Sequence, residues 1–403
     1  MSVAVPNPAI TEQGRAWLVV AAAFIGGFVV FGVMYSFGAF FMAMVREFDA
    51  SRTAASGFFS ATGCAFYILG AGAGHLADRW GPRIVVATGA VVMGGSLVLT
   101  AFIEHLWVGY LTYGVGMGLG AACAYVPTLS VVGGWFTRRR ATALGIAAAG
   151  TGCGMLAVPP LSAALIESYG WRQADIVLGI GSSVLLAFCA LAVLAPPVRA
   201  AEPAGRTPSH VIRSRPFVLL YLSWVLATTG LFVPFVFLPA FAQAHGASDI
   251  AAASLLSLLG GASVLGRVGI GSLAEKMGSV RLFKTGVLVM GASYVLWLAS
   301  PGYVGLAVFA VLLGLGYGVR IALLPSVLID FFGLRNQGAI LGMFFTASGI
   351  ATLLGALVAG AIVDHTGSDR WGIVFALAMG LAGFVAILPL KAHADGDGRH
   401  PGQ

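Results

Sequence analysis

Runs of about twenty or more mostly apolar residues, separated by short polar or basic turns, recur along the whole chain. That is the length an α-helix needs to cross roughly 30 Å of hydrocarbon at about 1.5 Å per residue, and a backbone inside lipid must satisfy its own hydrogen bonds. Twelve such runs can be drawn, at 16–44, 52–77, 82–103, 106–134, 141–166, 173–195, 216–243, 250–273, 281–300, 302–329, 337–363 and 371–390. Of the 403 residues, 59% are hydrophobic and 9% charged, a balance that no ordinary soluble core requires. The expected fold is an all-α membrane protein with twelve transmembrane helices.

Residues 1–15 are short and polar, with Pro6 and Pro8 and without the charged start or cleavage site of a signal peptide, so the first span is expected to be retained. The four cysteines, Cys64, Cys123, Cys153 and Cys189, fall inside spans without C-x-x-C spacing, which suggests neither a disulfide framework nor a metal site. The net charge of +7 does not imply nucleic-acid binding, because the basic residues are sorted by loop. With the N-terminus inside, the inner loops and tails hold Arg15, Arg79, Arg83, Arg138, Arg139, Arg140, Arg199, Arg206, Arg213, Arg215, Lys276, Arg281, Lys284, Arg335, Lys391 and Arg399. The outer loops hold only Arg46, Arg52, Arg172 and Arg370. The positive-inside rule then puts both termini in the cytoplasm of a multi-pass cell-membrane protein.

A proline-rich polar stretch, 196–215, divides the chain into helical bundles at 16–195 and 216–390, with cytoplasmic tails at 1–15 and 391–403. The bundles resemble each other. Gly74-x-x-x-Asp78-x-x-Gly81 closes the second run, and Gly271-x-x-x-Glu275-x-x-Gly278 closes the eighth, 197 residues later. Pro127, then Trp135-Phe136 and an arginine cluster, recurs as Pro325, then Phe331-Phe332 and Arg335. Two parallel six-helix repeats with a site between them are a recognised transporter plan.

Two charges interrupt the apolar runs. Arg267 and Arg320 each cost at least about 2.5–3.5 kcal/mol in a bilayer, and counting from Glu275 and Asp330 puts both roughly 12–15 Å from the inner edge. The spans are read as free of Asp and Glu, so neither arginine is expected to have an acidic partner. A guanidinium forks onto a carboxylate, and an anionic ligand is the leading explanation for the pair. Arg320 points toward an anion with two acceptor groups. Tyr317 shares its helix face three residues earlier; Tyr35, Cys123, Tyr125, Thr151 and Phe344 lie at compatible depths. The glycine runs Gly114–Gly120 and Gly314–Gly318 read as close helix packing rather than nucleotide loops.

GHLADRWGPR, Gly74 to Arg83, matches in full the G-x-x-x-D-R-x-G-x-R signature of the major facilitator superfamily, which the chain resembles over nearly its whole length. The resemblance implies conformational roles for Gly74, Asp78, Arg79, Gly81, Arg83 and the second-half counterpart Glu275. Asp78 is suited to accept hydrogen bonds from a neighbouring arginine or to cap a helix. Arg139, at the centre of the Arg138–Arg140 cluster, is placed with this hardware and against lipid headgroups. Trp135 to Arg172, with its aromatic pair, basic cluster, A-x-G-x-A-x-x-G-x-x-x-G run and closing GWR, resembles the monocarboxylate transporters and the neighbouring oxalate/formate exchangers. EQGRAW, from Glu12, is a degenerate form of the motif that opens the first span in that family.

By that resemblance Arg267 stands at the substrate-binding arginine. Ser263 occupies a position that is often acidic in animal members, and MYSFGAFF lacks their lysine. The function implied is secondary transport of small organic anions, mono- or dicarboxylates of the lactate, pyruvate or oxalate type, by proton symport or anion exchange. The alternatives are a proton-driven exporter of hydrophobic compounds and, ranked last, a non-transporting sensor. No enzyme motif, cofactor or metal is expected. The partners are the anion, protons and membrane lipids, and the chain is expected to act as a monomer.

Overall fold

The computed structural model describes residues 8–136, 140–194, 209–268, 277–299, 302–333 and 337–390. Within them are twelve helices long and apolar enough to cross a membrane. These are α1 (Gly14–Glu47), α2 (Arg52–Trp80), α3 (Pro82–Thr100), α4 (Leu106–Trp135), α5 (Thr142–Tyr169) and α6 (Trp171–Ala192). The second set is α7 (Arg215–Ala244), α8 (Asp249–Val268), α9 (Ser279–Ala299), α10 (Tyr303–Phe332), α11 (Ile340–Thr366) and α12 (Asp369–Ile387). The expected spans all appear, with two irregularities that hydropathy does not encode. A turn at Ser36 breaks α1 where the hydroxyl donates to the Gly32 carbonyl at 2.7 Å, and a π-helical stretch, Tyr110–Gly116, lies inside α4.

The packing repeats with the sequence. In the first half α1 lies on α5, α3 on α4 and α6, and α2 on α4; in the second, α7 lies on α11, α9 on α10 and α12, and α8 on α10. Even the turns correspond. Gly81 and Gly278, the paired glycines 197 residues apart, have φ of +89° and +82°, a conformation in which a Cβ is strained. Gly81 and Pro82 together end α2 and start α3.

Close helix approach comes from glycines spaced four apart. A Cβ at Gly150 or Gly154 of α5 would collide with the carbonyls of Phe24 or Phe28 on α1, and one at Gly314 or Gly318 of α10 with those of Leu259 or Ser263 on α8. In lipid such contact, rather than a hydrophobic driving force, holds helices together. Gly150→Ala is therefore expected to lower the melting temperature: the helix-propensity gain of about 1 kcal/mol is smaller than an overpacking cost of about 1–3 kcal/mol. A thermal unfolding scan of the detergent-solubilised protein checks this.

The halves meet along α2 with α11 and α5 with α8. On the face away from the chain ends they are shut. The Asp364 carboxylate of α11 accepts from the backbone N–H groups of Arg52 (3.0 Å) and Thr53 (2.8 Å) and from the Thr53 hydroxyl (2.5 Å), at the start of α2. The Arg52 guanidinium pairs with Asp369 of α12. Beneath this latch Tyr35 stacks on Phe235 at 4.2 Å between ring centroids, with Phe37, Phe59 and Phe232 packed around them.

Candidate substrate site

Below that aromatic layer lies a cavity of about 230 Å³ between the halves. Its walls extend from Tyr35 to Leu341, beside the start of α11, and so toward the face that carries the chain ends. The lining is mostly apolar, with few polar groups, as small-ligand sites usually are.

Arg267 is the charged residue of this lining. It sits one residue before the described end of α8 and reaches across to the first half, where Nη1 donates to the Ala148 carbonyl at 3.2 Å and to the Thr151 hydroxyl at 2.9 Å. The Thr151 hydroxyl donates in turn to Ala148 at 2.8 Å. Nε has no partner among the described residues, and the guanidinium carbon lies 5.9 Å from the centroid of the Tyr317 ring. Tyr125 comes from α4, held edge-on by Phe31 at 5.0 Å. One cation, one hydroxyl and two phenols are thus gathered at the interface of the halves.

Of the residues singled out by sequence, Arg267, Tyr35, Tyr125, Thr151, Tyr317 and Phe344 line the cavity. Cys123 and Arg320 do not. Cys123 is buried, and its backbone faces Gly89 of α3. Arg320 is 1% exposed and stacks on Trp224 of α7 at 4.0 Å, with Nη2 donating to the Thr228 hydroxyl at 2.5 Å. Its Nε and Nη1 have no hydrogen-bond partner among the described residues. Tyr67, Trp224, Ser348 and Met155 were not expected from sequence, although they line the cavity; their only sequence signal is polarity or size inside a span.

One expectation is corrected. The spans do contain a carboxylate: Asp175, one turn into α6, is wholly buried, and neither of its oxygens has a hydrogen-bond partner among the described residues. It is the third residue of the run drawn at 173–195, so the sequence already held a carboxylate inside a span. It does not line the cavity, and among the described residues neither Arg267 nor Arg320 has an ion pair with Asp or Glu.

Of the conformational residues, Gly81 makes the expected turn. Asp78 and Arg79 are exposed at the end of α2, and among the described residues Asp78 makes neither the arginine bond nor the helix cap expected of it. Gly74 packs loosely against Val126, and Arg83 is exposed. Glu275 and Arg139 lie outside the described residues, as do 195–208 of the expected linker.

Among the described residues, twelve helices in two repeated sets with a cavity of mixed chemistry between them follow the plan of a polytopic membrane transporter. The chain belongs to the Major Facilitator Superfamily, whose family model matches residues 23–301 and 225–401. Among curated proteins it is 32% identical to monocarboxylate transporter 13 of Bos taurus, over 94% of this chain and 90% of that one. It is 28% identical to monocarboxylate transporter 4 of Rattus norvegicus, over 94% and 83%. Its fold is similar to those of the nucleoside transporter NupG (TM-score 0.78, 13% identity, 93% and 99% covered) and a bacterial homologue of the lysosomal transporter Spinster in an inward-facing, unoccupied conformation (0.77, 16%, 93% and 97%).

Proposed function

We propose that this protein is a secondary transporter of small monocarboxylates of lactate or pyruvate size, bound at Arg267 and carried by alternating exposure of one site. The observation that carries the reading is Arg267 itself. It is a permanent charge in an apolar cavity between the two halves, without an acidic partner among the described residues and with its Nε unbonded there. A carboxylate of the substrate supplies the missing anion. Tyr125, Tyr317 and Thr151 surround the substrate's remaining oxygens, while Phe31, Met155 and Phe344 cover its carbon chain. The relatives' names, monocarboxylate transporters, point the same way.

Among the described residues none that lines the cavity is acidic, which disfavours export of a cation. It also leaves no carboxylate beside the substrate to take a proton. Exchange of one anion for another needs no such group; symport would carry the proton on the substrate and water. Two observations on liposomes separate these cycles: uptake driven by an imposed pH gradient marks symport, and uptake driven only by internal anion marks exchange.

The cytoplasmic termini, the cell-membrane location, the monomeric state and the rocking of bundles 16–195 and 216–390 about the 196–215 linker belong to the same proposal. So do conformational roles for the Gly74–Arg83 loop, Glu275 and Arg139. Radiolabelled lactate, pyruvate, oxalate and a C4 dicarboxylate, offered to proteoliposomes containing the protein, test the substrate class. Saturable uptake of the first two supports the reading; uptake of none overturns it. Tyr125→Phe is expected to raise the KM for lactate about five- to tenfold, as loss of one hydrogen bond of about 1–1.4 kcal/mol to an uncharged oxygen does, measured by initial-rate uptake.

A further inference from the structure

Arg320 is left with more donors than the protein uses. Its side chain is wholly buried and its charge permanent, yet among the described residues only Nη2 of its three nitrogens has a partner, the Thr228 hydroxyl. Its guanidinium lies 4.0 Å from the centre of the Trp224 ring. Trp224 lines the cavity and Arg320 does not. The indole is pinned by a 2.8 Å hydrogen bond from Nε1 to the Ser348 hydroxyl of α11 and packed edge-on by Phe344. A flat ring therefore stands between an under-bonded cation and the substrate space, held there by α11 of the same bundle.

We propose that Trp224 is a specificity-determining lid: it keeps Arg320 out of the cavity, so the site offers one carboxylate anchor instead of two and selects monocarboxylates over dicarboxylates. The inference rests on the anion-transport reading above and deepens it. A cation facing an aromatic ring is stabilised most where water is excluded, so the stack meets part of the cost of burying Arg320 without an anion. A second carboxylate of the substrate would have to displace that ring and break its bond to Ser348. With the ring removed, the free Nε and Nη1 donors face the cavity and bind the distal carboxylate of a C4 dicarboxylate. Tyr317, three residues before Arg320 on α10, lines the cavity with its ring centroid 5.9 Å from the Arg267 guanidinium carbon, so Arg320 lies behind the part of the wall that holds the first anchor.

The test is the ratio of succinate to lactate uptake in proteoliposomes of the full chain. Trp224→Ala is expected to raise this ratio about tenfold, and adding Arg320→Gln to return it to the wild-type value. Ser348→Ala releases the indole without removing it and moves the ratio the same way by a smaller factor; it serves if Trp224→Ala is not recovered folded. An unchanged ratio in these variants, with lactate uptake still lost on Arg267→Ala, overturns the lid and leaves the transport reading intact. A raised ratio that persists after Arg320→Gln also overturns it, since the gain would then be one of space alone. If neither anion is taken up in an Arg267-dependent way, the transport reading fails and the lid with it.

Discussion

Lactate uptake into proteoliposomes is expected to fall by about 100- to 1,000-fold when Arg267 becomes alanine. Removing one member of a buried charge pair costs about 3–5 kcal/mol, because the other is left unpaired in a medium that cannot solvate it. Here the stranded partner is the substrate carboxylate, in a cavity whose other polar side chains, among the described residues, are hydroxyls and the Trp224 indole. Arg267→Lys is expected to recover only part of the loss. A lysine keeps the charge but cannot hold the Ala148 carbonyl and the Thr151 hydroxyl with one fork arm while presenting the other to an anion. Folding is controlled independently by a thermal-shift measurement, in which lactate stabilises the wild type and not the alanine variant. Wild-type uptake kinetics in Arg267→Ala would remove the residue from the site.

Most of the architecture is visible in the chain because lipid allows so few solutions. Apolar length gives the spans, and the 197-residue recurrence of glycine and acidic residues gives the two-fold repeat, later matched by Gly81 and Gly278 in the same unusual backbone conformation. Arg267 is visible because a charge inside an apolar run needs a reason. Which side of a helix faces the cavity is far less visible. With nearly every position apolar, the moment that marks the inward face of a soluble helix is absent, so depth can be counted but direction cannot. By apolar run and depth alone Arg320 and Arg267 are therefore alike, and only the family resemblance favours Arg267. In space one lines the cavity and the other is screened by Trp224, a residue ninety-six positions away whose own role had no sequence signal. Cys123 fails for the same reason, two residues from Tyr125 and turned toward α3. Asp175 was missed by a different route: it stands third in the run drawn at 173–195, where a single carboxylate among so many apolar residues leaves the run's hydropathy high.

The second large effect concerns the latch on the far face. Asp364→Ala combined with Asp369→Ala is expected to shift the conformational equilibrium about 10- to 100-fold away from this closed arrangement. Asp364 acts as a helix cap supplied by the opposite half, since its carboxylate accepts the free N–H groups that open α2. A cap of this kind contributes about 0.5–2 kcal/mol, favoured by the positive end of the helix dipole. The Arg52–Asp369 pair, whose side chains are 33% and 28% exposed, adds no more than about 1 kcal/mol after solvent screening. These bonds join α2 to α11 and α12, so all must break before the face away from the termini can open, whereas Arg267 and Thr151 join α8 to α5 at mid-depth. Loss of the latch therefore favours opening on the far side. Spin labels at Ala50 and Ser368, in a background whose four cysteines are replaced, report the change as a longer-distance population in pulsed electron resonance. A distance distribution identical to that of the parent would show that the aromatic layer around Tyr35 and Phe235, not the latch, holds that face shut.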